Sequence, residues 1–282
     1  MNLLRLAALA AGDDDGLDDE TLGLMHQAVA AGALASLAPA AAWVELERGL
    51  MSKAPSRMFR ALQACGALSL LLPELEALFG VPQSADEPAE VDIGEHQLRV
   101  VDETARACAP PAVRFAALVF NLGKFDSPRE HLPSHYRHLE RGRPRVEAVC
   151  ERFGLPLAYR DLALLVLAEC ERVHRAAEMR AGSIAALLER VDAFERGERF
   201  EQLLTVCLCD FRAYPGRATR HYPKAAMLRV ARQACLSLDP TGMTDDEQPE
   251  DAAEALQLAR AAAVASALRS ERWASASDPT KG

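Results

Sequence analysis

Positive charge is concentrated in residues 211–237, a segment that contains no acidic side chain. Its basic residues are Arg212, Arg217, Arg220, Lys224, Arg229 and Arg232. Aromatic residues are interleaved with them, namely Phe211, Tyr214 and Tyr222. Guanidinium groups bind phosphate oxygens in a forked geometry, and aromatic rings can stack on an unpaired base. The pattern predicts nucleic-acid contact through Arg212, Arg217, Arg220, Lys224 and Arg229.

The same charges allow a second interpretation, in which an acidic segment near the C-terminus neutralises the basic residues. That segment carries Asp245, Asp246, Glu247, Glu250 and Asp251. The whole chain has a net charge of −9, which disfavours bulk, non-specific binding to nucleic acid. Contact with RNA would therefore require a local basic surface, and the charge pattern alone leaves both interpretations open.

Seven cysteines are scattered along the chain, and we predict that they are buried thiols in a reducing compartment. Cys150 and Cys170 each stand beside a glutamate in an apolar helical pattern, which fits structural thiols better than activated nucleophiles. Cys207 and Cys209 lack a second pair at zinc-binding spacing. No Gly-x-Ser-x-Gly, His-Glu-x-x-His or phosphate-loop motif occurs. From the cysteine pattern and the lack of these motifs, we predict neither a bound metal nor a cofactor.

The elements that must position these side chains are predicted to be helices. Half of the residues are hydrophobic, Ala and Leu dominate, and no alternating β-branched run is present. The predicted fold class is therefore all-α and multi-helical. Asp18 or Asp19 is expected to cap an early helix, because its carboxylate can accept amide hydrogens of the first turn. Helices are expected at residues 3–11, 18–33, 39–52, 55–65, 67–79, 93–108, 111–122, 142–153, 156–175, 183–195, 198–211, 224–236 and in the tail to about residue 274.

A composition change in the first third of the chain indicates a domain boundary. Residues 83–91 are acidic and poor in apolar side chains, which predicts a linker between helical regions at 1–82 and 92–237. Residues 238–282 are expected to form an acidic turn, one more helix and a frayed tail. No apolar run reaches the ~18–20 residues of a membrane span, and no secretory signal is evident. We predict a cytoplasmic location and no membrane partner.

Two closely spaced motifs carry a family resemblance. Residues 59–68 read Phe-x-x-Leu-x-x-Cys-Gly-Ala-Leu, and residues 72–82 read Leu-Pro-Glu-Leu-x-Ala-Leu-Phe-Gly-Val-Pro. Further along, residues 113–118 read Val-Arg-Phe-Ala-Ala-Leu and residues 210–212 read Asp-Phe-Arg. In order and spacing over residues 3–235, the chain resembles bacterial CCA-adding enzymes, in the tRNA nucleotidyltransferase and poly(A) polymerase family. The later motifs resemble the subtype with an HD phosphohydrolase domain.

The resemblance implies a neck and body region at residues 1–82, followed by an HD-like helical domain. Nucleotide transfer in the family needs a head domain with a Gly-Gly loop and a carboxylate pair that holds magnesium. The chain contains no Gly-Gly dipeptide, and its acidic run at residues 13–15 is expected to be a solvated turn. We therefore expect no head and no nucleotide addition, and a separately encoded nucleotidyltransferase subunit is one candidate partner.

Four positions of the HD-like domain correspond, by this resemblance, to the family's metal site. His96 matches the upstream His and Asp210 the distal Asp, whereas Phe120 and Asn121 replace the His-Asp pair. A phenyl ring offers no lone pair, and a carboxamide is a weaker ligand than a carboxylate. The resemblance thus implies a degenerate catalytic site without a bound metal.

A rebuilt cation site remains an alternative at this stage. It could draw on His96, Asn121, Asp126, His131, His135 and Asp210. Arginines 129, 137, 141 and 143 lie in the same segment as the loop histidines, and their positive charge opposes a cation. We therefore expect His131 and His135 to be polar loop residues on a basic surface.

The sequence predicts a catalytically inactive or unassigned relative, or a truncated form, of a CCA-adding enzyme that binds tRNA or other RNA through a basic face. Two alternatives stay open. One is a metal-dependent phosphohydrolase or phosphodiesterase with altered HD ligands, and the other is a helical protein-interaction module. The sequence does not determine the oligomeric state.

Overall fold

A computed structural model describes residues 2–12, 16–86, 88–238 and 249–270. The predicted acidic turn at 13–15, most of the acidic segment after residue 238 and the tail after residue 270 lie outside these ranges. Almost all regular structure in the described part is helical, which confirms the predicted all-α class. None of the described helices combines the length and apolar character needed to cross a membrane.

The helices are α1 (Leu3–Ala10), α2 (Asp19–Ala30), α3 (Pro39–Leu50), α4 (Pro55–Ala64), α5 (Leu68–Leu71), α6 (Pro73–Glu76), α7 (Ile93–Arg106), α8 (Pro111–Val119), α9 (His138–Phe153), α10 (Leu157–His174), α11 (Ala181–Arg190), α12 (Gly197–Ala213), α13 (Pro223–Leu236) and α14 (Pro249–Ser270). Short 3-10 helices span Arg129–His131 and Ala176–Glu178. Two strands, β1 (Pro82–Ser84) and β2 (Glu90–Asp92), form an antiparallel pair.

The chain divides into two compact units. The first contains residues 1–168 and 205–220, and the second contains residues 169–204 and 221–282. Residues on both sides of the expected linker thus belong to the first unit. The functional domain boundaries at 82, 92 and 237 stay predictions, because compactness alone does not delimit functional domains.

Local sequence signals account for several helix starts in the first unit. The Asp18 carboxylate accepts a hydrogen bond of 2.6 Å from the Thr21 amide, so this residue is the N-cap of α2. Proline stands at the first position of α3, α4, α6, α8 and α13, where its missing N–H costs no hydrogen bond. The starts of α3, α4 and α8 agree with the prediction, and that of α13 agrees within one residue. The single helix predicted at residues 67–79 is wrong, because Pro73 divides it into α5 and α6.

Aromatic packing joins three helices in the core of the first unit. Trp43 of α3 packs edge-on against Phe115 of α8, with ring centroids 5.5 Å apart. Its other neighbours include Phe153 of α9, at 5.6 Å. Such pairs add about 0.5–1.5 kcal/mol each beyond area burial. The cluster fixes α8, whose C-terminal end carries the Phe120–Asn121 positions.

The linker predicted at residues 83–91 is not irregular throughout, because its two ends pair as the strands of a β-hairpin. Gln83 pairs with Val91, and both are buried. The Asp92 carboxylate fixes the base of the hairpin, since it accepts hydrogen bonds from the Gly80 amide (2.5 Å) and the Glu95 amide (2.8 Å). Strands of three residues are too short to produce an alternating hydrophobic pattern. The pairing therefore depends on tertiary contacts that composition does not reveal.

Helix α9 begins four residues earlier than the predicted start at residue 142. Arg137 precedes it in the left-handed conformation, with φ of 59°. Pro144 lies inside the helix, and the sequence pattern placed the helix start near this proline. The helix ends at Gly154, which also has a left-handed backbone (φ 64°), as expected for a helix stop.

In the second unit, α14 packs on α11 and α13. Arg260 of α14 forms an ion pair of 2.5 Å with Glu189 of α11 and lies 4.3 Å from the Phe194 ring. Val264 is fully buried in the same unit. The single helix predicted for the tail is thus present at Pro249–Ser270.

Candidate functional site

His96 and Asp210 meet in the core of the first unit. His96 lies on α7 and is fully buried, and its Nε2 is 2.7 Å from Oδ1 of Asp210 on α12. Because a carboxylate only accepts, Nε2 carries the proton of this hydrogen bond. The buried Nδ1 atom has no hydrogen-bond partner among the described residues. The two positions that match family ligands are therefore in direct contact with each other.

Phe120 and Asn121 follow the last residue of α8, and both are buried. The Phe120 side chain joins the apolar core. The Asn121 amide donates a hydrogen bond of 2.8 Å to Oε1 of Gln97, and Gln97 donates in turn to the carbonyl of Ala117. Asn121 thus takes part in a neutral hydrogen-bond network that ties α7 to α8.

The donor set at these four positions does not fit a firmly held divalent cation. The His96–Asp210 hydrogen bond engages one ligand atom of each residue. Phe120 has no lone pair, and Asn121 brings no charge. A cation that lowers the pKa of a bound water needs several ligands of fixed geometry.

Tyr214 packs against the His96 imidazole, with ring centroids 4.3 Å apart. Its hydroxyl accepts a hydrogen bond of 2.7 Å from Nε2 of Gln83, whose Oε1 accepts one of 2.7 Å from Lys124. This network links the Leu122-Gly123-Lys124 turn to His96 through the hairpin. Nothing in the sequence indicated the role of Gln83. Tyr214 was identifiable from the sequence as an aromatic residue in a basic segment.

The loop between α8 and α9 uses its remaining ligand candidates in structural contacts. Asp126 pairs with Arg141 at 3.1 Å and with Arg145. His135 is buried, and its Nε2 donates to the Pro82 carbonyl at 2.8 Å while its Nδ1 accepts from the Ser127 hydroxyl at 2.8 Å. Burial lowers the pKa of His135. His131 is exposed and stacks on Tyr136.

Two of the candidate nucleic-acid residues of the first unit, Arg217 and Arg220, line a cavity of about 560 Å³. Its lining consists of Asp86, Tyr214, Pro215, Gly216, Arg217 and Arg220. Arg217 forms an ion pair with Asp86, and its guanidinium lies 4.9 Å from the Tyr214 ring. Arg220 is exposed. Nε of Arg212 is buried and lacks a hydrogen-bond partner in the described part of the chain.

Lys224 and Arg229 belong to the second unit, on α13. Arg229 makes a forked ion pair with Glu201, with its closest contact at 2.7 Å. The Lys224 ammonium lies 5.6 Å from the Tyr222 ring. The described acidic partners of Arg217 and Arg229 are thus Asp86 and Glu201. In the alternative interpretation, the acidic residues at 245–251 neutralise these basic residues. The structure does not describe the side chains of that segment.

The thiols fit a structural role. Six of the seven cysteines are buried, and Cys108 is exposed. Burial raises the pKa of Cys150 to about 11 and that of Cys209 to about 12. Such thiols stay protonated at neutral pH and are weak nucleophiles.

Comparison with known proteins defines the class of the chain first. A family model described as "Probable RNA and SrmB- binding site of polymerase A" matches residues 17–79, which span α2 to α6. This part of the helical body is therefore similar to that polymerase A region.

Curated proteins named "Multifunctional CCA protein" are similar over most of the chain. The protein from Nitrosospira multiformis is 46% identical over 239 residues, which cover 85% of this chain and 58% of that protein. Those from Cupriavidus necator and Paracidovorax citrulli are 42% and 41% identical over 271 and 288 residues. These matches cover 95% and 100% of this chain, and 66% and 67% of the two relatives. The chain belongs to the CCA-adding enzyme family and spans about three fifths to two thirds of the length of these relatives.

Proposed function

We propose that the chain binds RNA, with tRNA as the expected ligand, and that its HD-like site does not catalyse metal-dependent hydrolysis. The observation that carries the first part is the match of residues 17–79 to a family model described as a probable RNA-binding site. The names of the curated relatives, which are CCA proteins, favour tRNA as the RNA.

The basic residues support RNA binding through their geometry. In the first unit, Arg217 and Arg220 line a cavity large enough for a phosphorylated nucleoside. Arginine is suited to phosphate because its fork can donate two parallel hydrogen bonds. In the second unit, Lys224 and Arg229 stand on one helix, α13. We propose that each unit contributes its own phosphate contacts.

The His96–Asp210 contact supports the absence of HD chemistry. The two residues form a hydrogen bond with each other, and the adjacent pair is Phe120 and Asn121. We assign nucleotide transfer to no residue of this chain, because it contains no Gly-Gly dipeptide. A separately encoded nucleotidyltransferase partner stays a proposal, which co-purification from the native cell would test. Six of the seven cysteines are buried as thiols, which favours a reducing compartment, and we propose a cytoplasmic location.

The experiment that tests the proposal is an electrophoretic mobility shift of labelled tRNA by the full chain at low salt. We expect a retarded complex that weakens as salt is added, because phosphate contacts release counterions. No complex at low salt contradicts RNA binding. Ring opening of 2′,3′-cyclic nucleotides to nucleoside 2′- or 3′-monophosphates with added Mg²⁺, Mn²⁺ or Ni²⁺, lost in His96→Ala, would instead establish the hydrolase alternative.

A further inference from the structure

The cavity at residues 214–220 has a preorganised cation at one side. The Arg217 guanidinium lies 5.0 Å from the Phe211 ring and 4.9 Å from the Tyr214 ring, and its side chain is only 20% exposed. Cation–π contacts of this kind hold a guanidinium in place without using its hydrogen-bond donors. The donors of Arg217 can therefore still be directed to an anion.

The backbone of the segment brings a second guanidinium to the same cavity. The Arg217 amide donates to the Tyr214 carbonyl at 3.2 Å, and the Arg220 amide donates to the Arg217 carbonyl at 3.0 Å. Gly216 provides the positive φ of 72° that the first of these two consecutive turns contains. Because of these turns, Arg217 and Arg220, which are three positions apart in the sequence, both line the same cavity.

A carboxylate of the same chain already contacts this cation. Asp86 comes shortly after β1 in the hairpin, lines the cavity and forms the ion pair with Arg217. Its side chain is 80% exposed, whereas that of Arg217 is 20% exposed. An ion pair with a highly exposed partner contributes little to stability, because water solvates the carboxylate nearly as well. Asp86 is thus an anion that a stronger one can displace.

We propose that this cavity binds a single phosphate group of RNA and that Asp86 is a built-in competitor for it. The inference rests on the proposed RNA binding and adds a site and a regulating residue. A phosphodiester has two non-bridging acceptor oxygens that share one negative charge, which suits the Arg217 fork, and we propose that Arg220 reaches the same group. In the absence of RNA the Asp86 carboxylate contacts one terminal nitrogen of this fork, and this contact lowers the apparent affinity.

The test uses the full chain and two probes, inorganic phosphate and a short single-stranded RNA, each titrated by calorimetry or NMR. Asp86→Asn removes the competing charge at constant shape, so it should tighten binding of both probes about two- to fivefold. Arg217→Gln and Arg220→Gln should abolish saturable phosphate binding. Glu147→Gln is the matched control, because it removes an exposed carboxylate from an arginine pair elsewhere, with Arg143.

The outcomes separate the inference from the proposed function. Tighter phosphate binding by Asp86→Asn but not by Glu147→Gln supports the anion site and the competing role of Asp86. If no variant binds RNA, the RNA proposal and the assignment of this phosphate to RNA both fail, and only the anion site stands. RNA binding that is the same in wild type, Asp86→Asn and Arg220→Gln overturns the site and leaves the RNA proposal standing. Absence of saturable phosphate binding in both wild type and Asp86→Asn also overturns the site. Arg220 is exposed, so we expect Arg220→Gln to fold. This variant therefore still tests the site if Arg217→Gln misfolds.

Discussion

A metal ligand must present a lone pair to the cation, and the hydrogen bond between His96 and Asp210 uses atoms that would do so. At 2.7 Å the contact satisfies one polar atom of each residue inside the core. Buried polar atoms that pair with each other stabilise the fold, whereas the same atoms around a missing cation would be costly. The contact accounts for Nε2 of His96 and Oδ1 of Asp210, whereas the buried Nδ1 of His96 has no hydrogen-bond partner among the described residues.

Arg114 shows that a motif residue can have a purely structural role. Its side chain is buried and donates to the carbonyls of Ala109 (2.9 Å), Leu50 (2.9 Å) and Ser52 (3.0 Å). Desolvation lowers the pKa of Arg114 from its usual value. The side chain satisfies carbonyls at the C-terminal end of α3, which a helix cannot satisfy by itself.

Arg114→Met should lower the free energy of unfolding by about 3 kcal/mol, because it leaves buried carbonyl groups without donors. Chemical denaturation followed by circular dichroism measures this change. Arg143→Met is the control, since Arg143 is exposed on α9 and its loss should change stability by about 0.5 kcal/mol or less. Equal effects of the two substitutions would show that the Arg114 hydrogen bonds are not needed.

His135 makes stability depend on pH. Burial lowers its folded-state pKa below the ordinary 6.5, so the unfolded chain binds the proton more readily. The stabilisation is present above about pH 6.5 and is lost as the pH falls below that value. We expect the unfolding free energy to fall between about pH 7 and 5 less in His135→Gln than in wild type. A pH dependence of the unfolding free energy that is the same in His135→Gln as in wild type would contradict this assignment.

At the scale of elements, the turn after α8 is fixed by close contact with the start of α9. A Cβ atom on Gly123 would lie 1.9 Å from the His138 carbonyl oxygen and 2.6 Å from the Gly142 amide nitrogen. Both are backbone atoms, which cannot turn aside as a flexible side chain would. The glycine of Leu122-Gly123-Lys124 is therefore required for the approach of the two segments.

Gly123→Ala should destabilise the fold by about 1–3 kcal/mol, because α9 must shift to relieve the overlap. Gly23→Ala is the matched control: Gly23 lies on the exposed face of α2 with no atom within 4 Å of an added Cβ. Its substitution should stabilise the protein by up to about 1 kcal/mol, since alanine favours helices. Thermal unfolding of both variants measures the difference. Two shifts of the same sign would rule out the close contact.

Elements whose signals are local were predictable from the sequence. The cap at Asp18 and the helix starts at the prolines depend on neighbouring residues, and the structure has them. The hairpin and the early start of α9 were not predictable. Their strands and first turn are stabilised by partners far along the chain, such as the Gln83–Tyr214 hydrogen bond across 131 residues.

At the scale of the molecule, the family was predictable because many landmarks kept their order, and the chain belongs to it. The spatial contacts between the site residues were not predictable from the sequence. The sequence marked His96 and Asp210 separately, but only the fold brings residues 114 positions apart into hydrogen-bond contact. Likewise, the basic segment at 211–237 was evident as charge, whereas its division between two units and the ion pairs with Asp86 and Glu201 required the structure.

RNA binding through the basic residues predicts a steep salt dependence of the affinity for tRNA. If about three phosphates are contacted, the affinity should fall roughly 20-fold or more between about 50 and 200 mM salt. Arg220→Glu should weaken binding and flatten this dependence, whereas Arg143→Glu on α9 should leave both unchanged. The absence of a complex at about 50 mM salt would contradict RNA binding itself. Equal affinities for wild type and Arg220→Glu would contradict the contribution of Arg220 and leave RNA binding by the chain standing.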